Sequence, residues 1–159
     1  MSDNLILVVE DDAAVMRMLH TWLLAEGHVP YPARNFKDGL AEIQSGRQFS
    51  VAIIDVRLPD GDGLDLVRKL TLIAPHTHTI VITALPDDDV WARAKEAGAN
   101  NYLPKPFVVT DLRDVIDRGI EYHEELAAVG TCVDRCDRVL GKCQLLQEEH
   151  SGTTIKATM

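Results

Sequence analysis

Apolar residues fall along this chain in two alternating patterns. Short continuous runs occur at Leu5-Ile6-Leu7-Val8-Val9, Val51-Ala52-Ile53-Ile54, Thr79-Ile80-Val81-Ile82 and Asn101-Tyr102-Leu103. Runs this short, set between longer helical patterns, read as strands of a buried parallel sheet. Between them the pattern is helical. Val15, Met18, Leu19, Trp22 and Leu23 recur at helical spacing from Ala13 to Glu26, and Gly27 is the terminator. Further helices are predicted from Phe36 to Ser45 before Gly46, from Leu64 to Ile73, from the Pro86-Asp87-Asp88-Asp89 turn to Ala97 before Gly98, and from Phe107 or Thr110 onward.

The segment His28-Val29-Pro30-Tyr31-Pro32-Ala33 supplies the second strand. Proline lacks a backbone donor. Residues two apart in a strand point their N–H groups to the same side, so Pro30 and Pro32 leave one edge without donors. That suits an edge strand; the alternative is that these prolines mark a loop. Five βα units predict an α/β fold, a doubly wound five-stranded parallel sheet of strand order 2-1-3-4-5, with a C-terminal helical extension. Residues 1–121 form the domain, and residues 122–159 a helical extension or linker with a disordered end.

In such a sheet, chemistry collects at the carboxyl ends of the strands. Those ends carry Glu10 and Asp11, Asp55, Thr83 and Lys105. Three carboxylates, a hydroxyl and an amine on one rim suit a metal ion and a phosphoryl group. A carboxylate can attack phosphorus to give an acyl phosphate, and Asp55 is the candidate nucleophile. The other acids would repel the incoming anion unless a divalent cation such as Mg²⁺ neutralised them. Lys105 offers a point charge for phosphate and Thr83 a hydroxyl donor. Each residue also has a plainer reading. Glu10-Asp11-Asp12 fits a helix N-cap with first-turn acids, Asp12 above all. Thr83 fits a strand end, and Lys105 a solvated charge.

Composition narrows the field. The chain has 159 residues, 46% hydrophobic and 26% charged, with a formal net charge of −9. That is enough for one domain plus a short extension. An acidic surface argues against nucleic-acid binding through phosphate neutralisation and against anionic membranes. No segment approaches the ~20 apolar residues of a membrane span, and the N-terminus lacks a signal-peptide pattern. A cytoplasmic location is expected. Three cysteines, Cys132, Cys136 and Cys143, form no disulfide framework.

Four segments carry a family resemblance. Val8-Val9-Glu10-Asp11-Asp12, the run from Ile54-Asp55-Val56-Arg57 through Leu58-Pro59-Asp60-Gly61-Asp62-Gly63, Ile82-Thr83-Ala84 and Tyr102-Leu103-Pro104-Lys105-Pro106-Phe107 resemble the bacterial response-regulator receiver domain. The spacing is most similar to receivers of nitrogen-regulator type. The resemblance covers residue 5 to about residue 121. It implies a CheY-like fold and Mg²⁺-dependent phosphotransfer to Asp55 from a sensor histidine kinase or phosphotransfer protein. The chain would then not be an enzyme but a phosphoacceptor that assists only its own phosphorylation and dephosphorylation. Asp11 would ligate Mg²⁺ directly and Glu10 through water, with Asp55 and the backbone carbonyl of Arg57 as further ligands and Asp12 as an accessory acid. Tyr102 matches a switch aromatic that moves with Thr83, or is a static half-buried tyrosine. Lys105-Pro106 matches a peptide bond that is usually cis. The face of the fourth helix, fifth strand and fifth helix would carry the signal to a partner or output domain. Arg57 and Leu85 occupy positions that influence dephosphorylation. Neither Trp22 nor Trp91 is clearly placed at the site.

Rival classes fit less well. A haloacid-dehalogenase-like phosphatase needs a second acid two residues after the nucleophile, where this chain has Arg57. A flavodoxin-like cofactor binder needs a phosphate loop where this chain has Glu10-Asp11-Asp12. A receiver used only for docking remains a third class. No output domain is visible: from Glu121 onward there are seven acids against four bases. The chain either acts by direct protein contact or is a fragment of a larger regulator, and the sequence names neither kinase nor pathway. Val129, Cys132, Cys136, Val139, Cys143, Leu146 and His150 follow steps of three and four, the seam of a coiled coil and a route to a homodimer. Gly130 and Gly141 oppose that helix, and a frayed linker is the alternative.

Overall fold

A computed structural model describes residues 4–84 and 88–136, with side chains described as far as Glu124. Leu85 therefore lies outside the described residues, as do the side chains of the stripe from Val129 to His150. The chain divides into two compact units, one ending at His123 and one beginning at Glu124.

Five parallel strands form the sheet: β1 (Leu5–Val9), β2 (Val29–Ala33), β3 (Val51–Asp55), β4 (His78–Thr83) and β5 (Asn101–Pro104). Their spatial order is β2-β1-β3-β4-β5. Five helices connect and flank them: α1 (Ala13–Ala25), α2 (Phe36–Ile43), α3 (Gly63–Ile73), α4 (Asp88–Ala97) and α5 (Val109–Cys136). The predicted fold class and strand order are those observed. β2 is the edge strand. Its Val29 N–H reaches β1 through the Asn4 carbonyl, while Pro30 and Pro32 alternate with the residues that pair that way. The predicted terminators Gly27, Gly46 and Gly98 all adopt positive φ, which glycine tolerates without steric cost.

Strand residues alternate between two cores. On one side Leu7, Val9, Ala52, Ile54 and Val81 pack with Leu64, Leu66, Val67 and Leu70 of α3 and with Ala94 and Ala97 of α4. On the other, Ile6, Val8, Val51, Ile53, Ile80 and Ile82 pack with Met16, Leu19 and Leu23 of α1 and with Leu112, Val115 and Ile116 of α5. Each fully buried Leu, Ile or Val among them contributes roughly 1.5–3 kcal/mol over an exposed one. The helical stripe of α1 is rotated from the predicted set. Met16 is buried and Met18 is 39% exposed, because Met18 lies about 130° round the helix from the centre of the Met16, Leu19 and Leu23 face.

The predicted loop after β3 contains structure of its own. Arg57–Leu58 pairs antiparallel with Gly61–Asp62, a two-residue ribbon folded back on itself. Pro59 and Asp60 form its tip. Asp62 then caps α3, its Oδ1 accepting the Leu64 N–H at 2.9 Å.

Candidate functional site

The topology brings four strand ends together. β1 and β4 both flank β3 in the sheet, and β5 lies beside β4. Glu10 follows β1, Asp55 ends β3, Thr83 ends β4 and Lys105 follows β5. Glu10, Asp55 and Thr83 are buried, whereas Asp11 is exposed. Lys105 Nζ lies 3.0 Å from Asp55 Oδ2 and 2.6 Å from Glu10 Oε2. The backbone N–H of Lys105 donates to the Thr83 carbonyl at 2.7 Å, and the Lys105–Pro106 peptide bond is cis. One carboxylate oxygen from each of Glu10, Asp11 and Asp55 lies within 4.8 Å of the others.

Glu10 is the unusual member. Oε1 accepts the Asp12 N–H at 3.0 Å. Oε2 is buried and forms an ion pair with the Lys105 ammonium. Burial pushes the Glu10 carboxyl up to about 7, helped by the charge on Asp55 and opposed by Lys105 and the Asp12 N–H. Burial alone would lower the Lys105 ammonium, but the hydrogen bonds and charges of Glu10 and Asp55 outweigh it and hold it above its ordinary value. Three carboxylates converging on one point, with a single ammonium between two of them, fit a hard divalent cation with oxygen ligands. Mg²⁺, which uses one or two carboxylates and keeps several waters, suits this set.

Asp12 stands apart from that cluster. It is the N-cap of α1, with Oδ1 accepting the Ala14 and Val15 N–H groups at 2.8 and 3.2 Å. Those two bonds hold its carboxyl below the usual range. Arg57 meets the site through its backbone, its N–H donating to Asp55 Oδ1 at 3.1 Å. Its exposed side chain lines a cavity of about 540 Å³ with Leu58, Asp62, Thr83, Val90 and Arg93. Tyr102 is half-buried, and its hydroxyl is buried without a hydrogen-bond partner among the described residues. Its ring stacks on Trp91 of α4, centroids 5.3 Å apart and planes 19° from parallel. Lys95 Nζ lies 5.2 Å from the Trp91 ring centre.

Sequence reasoning passed over three supports of the site. A Cβ on Gly63 would overlap the backbone carbonyl oxygen of Asp55, so only glycine lets α3 start this close to the nucleophile. The signal was a glycine at the first helical position, right after the Asp62 cap. Arg93 of α4 donates to Asp62 Oδ2 at 3.0 Å, joining α4 to the loop after β3. Asp60 reaches across to the start of α2. These partners are 31 and 24 positions or so distant in sequence, and no local pattern marks them.

The fold and the acidic rim define a doubly wound α/β signalling domain of CheY-like architecture. Residues 6–117 match the family described as response regulator receiver domain, and the chain belongs to that family. It is 32% identical over 123 residues to the KDP operon transcriptional regulatory protein KdpE of Escherichia coli, covering 77% of this chain and 54% of that protein. It is 33% identical over 118 residues to the DNA-binding transcriptional regulator NtrC of Proteus hauseri, covering 74% of this chain and 25% of that protein. The chain thus matches about half or less of these two relatives. Among solved structures, a CheY-like response regulator receiver domain from Methanospirillum hungatei superposes with a TM-score of 0.75 at 30% identity, covering 78% of this chain and 98% of that one. Among the described residues, no helix is long and apolar enough to cross a membrane.

Proposed function

We propose that this chain is the phosphoacceptor of a two-component phosphorelay, with Asp55 as the modified residue. The observation that carries this reading is the Lys105 ammonium held between Asp55 and buried Glu10, beside Asp11. An oxygen of Asp55 attacks the phosphorus of a phosphohistidine on a sensor kinase or phosphotransfer protein. The O–P bond forms as the P–N bond breaks, and the electron pair leaves on the imidazole. Lys105 offsets the charge of the phosphoryl oxygens and holds the Asp55 carboxylate in place. Thr83 supplies a hydroxyl at the adjacent strand end. Asp11, Asp55 and the Arg57 carbonyl would hold a Mg²⁺, with Glu10 acting through water, and the ion would supply the further positive charge that lets two anions meet.

The readout follows from the same geometry. Thr83 shares the cavity beside α4 with Val90 and Arg93, and Tyr102 lies one strand away against Trp91. Movement of Thr83 toward phosphate shifts Tyr102 and with it the face of α4, β5 and α5, which engages a partner or output domain. In this reading the domain spans residues 1–121, and the C-terminal extension pairs two copies. Activation is a population shift between two states of that face.

Acetyl phosphate with Mg²⁺ tests the reading. Intact-mass measurement should show one added phosphoryl group on the wild type, and Asp55→Asn should lower the labelled fraction at least about 100-fold. Equal labelling of the Asn variant removes Asp55 as the acceptor. No labelling of either protein favours a receiver used only for docking.

A further inference from the structure

Asp60 takes no part in the proposed phosphotransfer chemistry. It sits at the tip of the ribbon formed by Arg57–Leu58 and Gly61–Asp62. Its carboxylate reaches the first turn of α2. Oδ1 accepts the Phe36 N–H at 2.6 Å and Oδ2 accepts the Lys37 N–H at 3.1 Å. These are two of the four donors that a helix start leaves without partners. The helix has its own cap as well: Asn35 Oδ1 accepts the Asp38 N–H at 2.7 Å. The start of α2 is thus held by two acceptors, one local and one delivered from the loop after the nucleophile. Gly61 tightens the same contact. A Cβ there would come within 2.8 Å of the Phe36 ring, so the ribbon tip lies flat on that side chain.

The other end of the ribbon meets the acceptor carboxylate. Arg57 begins the ribbon, and its N–H donates to Asp55 Oδ1 at 3.1 Å. Gly63, just past the ribbon, donates its N–H to the Val56 carbonyl at 2.7 Å. Two residues and a turn separate the Arg57 backbone from Asp60, and the antiparallel pairing makes them one stiff unit. Fixing the tip on α2 therefore fixes the backbone beside Asp55.

We propose that Asp60 is a positioning residue for the metal and phosphoryl site, clasping the ribbon to the N-terminus of α2 so that the Arg57 backbone is held against Asp55. This rests on the phosphoacceptor reading above. Outer groups that orient metal ligands typically change metal affinity by 10–100-fold when removed. The clasp is exposed, which puts its effect at the lower end of that range.

Asn35 supplies the control. Asn35→Ala and Asp60→Ala each remove an acceptor from the start of α2, but only Asp60 ties it to the ribbon. Calorimetric titration with Mg²⁺ alone should show affinity about tenfold weaker in Asp60→Ala and within twofold of wild type in Asn35→Ala. Asp60→Asn keeps one acceptor oxygen and should recover part of the loss. In metal-free protein, hydrogen exchange at the Arg57 amide should quicken in Asp60→Ala and not in Asn35→Ala. Thermal denaturation of both variants gives the cost to the helix separately. If the two variants weaken Mg²⁺ binding equally, or neither does, Asp60 merely caps a helix and the proposal is overturned. If wild type binds Mg²⁺ yet takes no phosphoryl group from acetyl phosphate, the phosphoacceptor reading fails, while the Mg²⁺ titrations still decide the role of Asp60.

Discussion

At the scale of single residues, the site separates groups that hold the fold from groups that hold charge. Gly63 is of the first kind. Any side chain there collides with backbone at Asp55, and backbone at a strand end cannot give way cheaply. Gly63→Ala should cost about 2–4 kcal/mol in urea unfolding and slow phosphorylation by acetyl phosphate as Asp55 is displaced. A variant with wild-type stability would show that α3 can shift to admit a methyl group. Asp11 is of the second kind. It is exposed, and its carboxylate adds repulsion to Glu10 and Asp55. Asp11→Ala should change stability by no more than about 0.5 kcal/mol while Mg²⁺ affinity by calorimetry drops at least about tenfold. Unchanged affinity removes Asp11 from the ligand set. The sequence exposed Glu10, Asp11, Asp55, Thr83 and Lys105 because strand ends are readable from apolar runs. It hid Gly63 and Asp60 because their roles are contacts with backbone far along the chain or across a turn, which leave no periodic mark.

At the scale of elements, a pair of stacked rings joins α4 to β5. Trp91 lies flat on Tyr102, so the ring that follows Thr83 in the proposed switch cannot turn without changing the surroundings of an indole. Helical and strand patterns located α4 and β5 but gave no register between them, which is why Trp91 had no clear place in the sequence. In the structure β5 pairs with β4, Val81 opposite Tyr102, and the Tyr102 ring meets Trp91 of α4. In a Trp22→Phe background, Trp91 emission should change on phosphorylation in step with the mass shift, and Tyr102→Leu should largely abolish the change. Constant emission during complete phosphorylation would mean that Tyr102 stays put. The same distinction explains α1. Spacing alone gave a helix, but its rotation about its axis was set by β1, β3 and α5, which chose Met16 over Met18.

At the scale of the whole molecule, two buried titratable groups at opposite ends of the sheet pull stability in opposite directions with pH. Glu10 sits at the carboxyl rim. His78 begins β4 at the other end, its ring against the Gly119 backbone and 5.3 Å from Tyr122 in an edge-on contact. Nε2 is 2.7 Å from the Asn101 side-chain amide. Nδ1 is buried without a partner among the described residues. Burial first, and then the charge of Arg118, hold His78 down at about 4 from its ordinary 6.5. Its contribution is therefore complete above pH 6.5 and is lost as pH falls toward 4, because the unfolded chain takes up a proton that the folded one refuses. Glu10 is raised from 4.5 to about 7. Its contribution is complete below pH 4.5 and is lost as pH rises through 7. Each is worth on the order of 3 kcal/mol. Between pH 4.5 and 6.5 the two largely cancel in metal-free protein, which should show a flat stretch in urea stability and a decline above it. Glu10→Gln removes one arm, so that variant should lose stability steadily as pH falls below 6.5. Saturating Mg²⁺ should have a similar effect on the wild type, since a cation at the site opposes protonation of Glu10. If Glu10→Gln instead tracks the metal-free wild type across this range, Glu10 is ionised in the folded protein at neutral pH and below, and the Lys105 pair alone carries its charge.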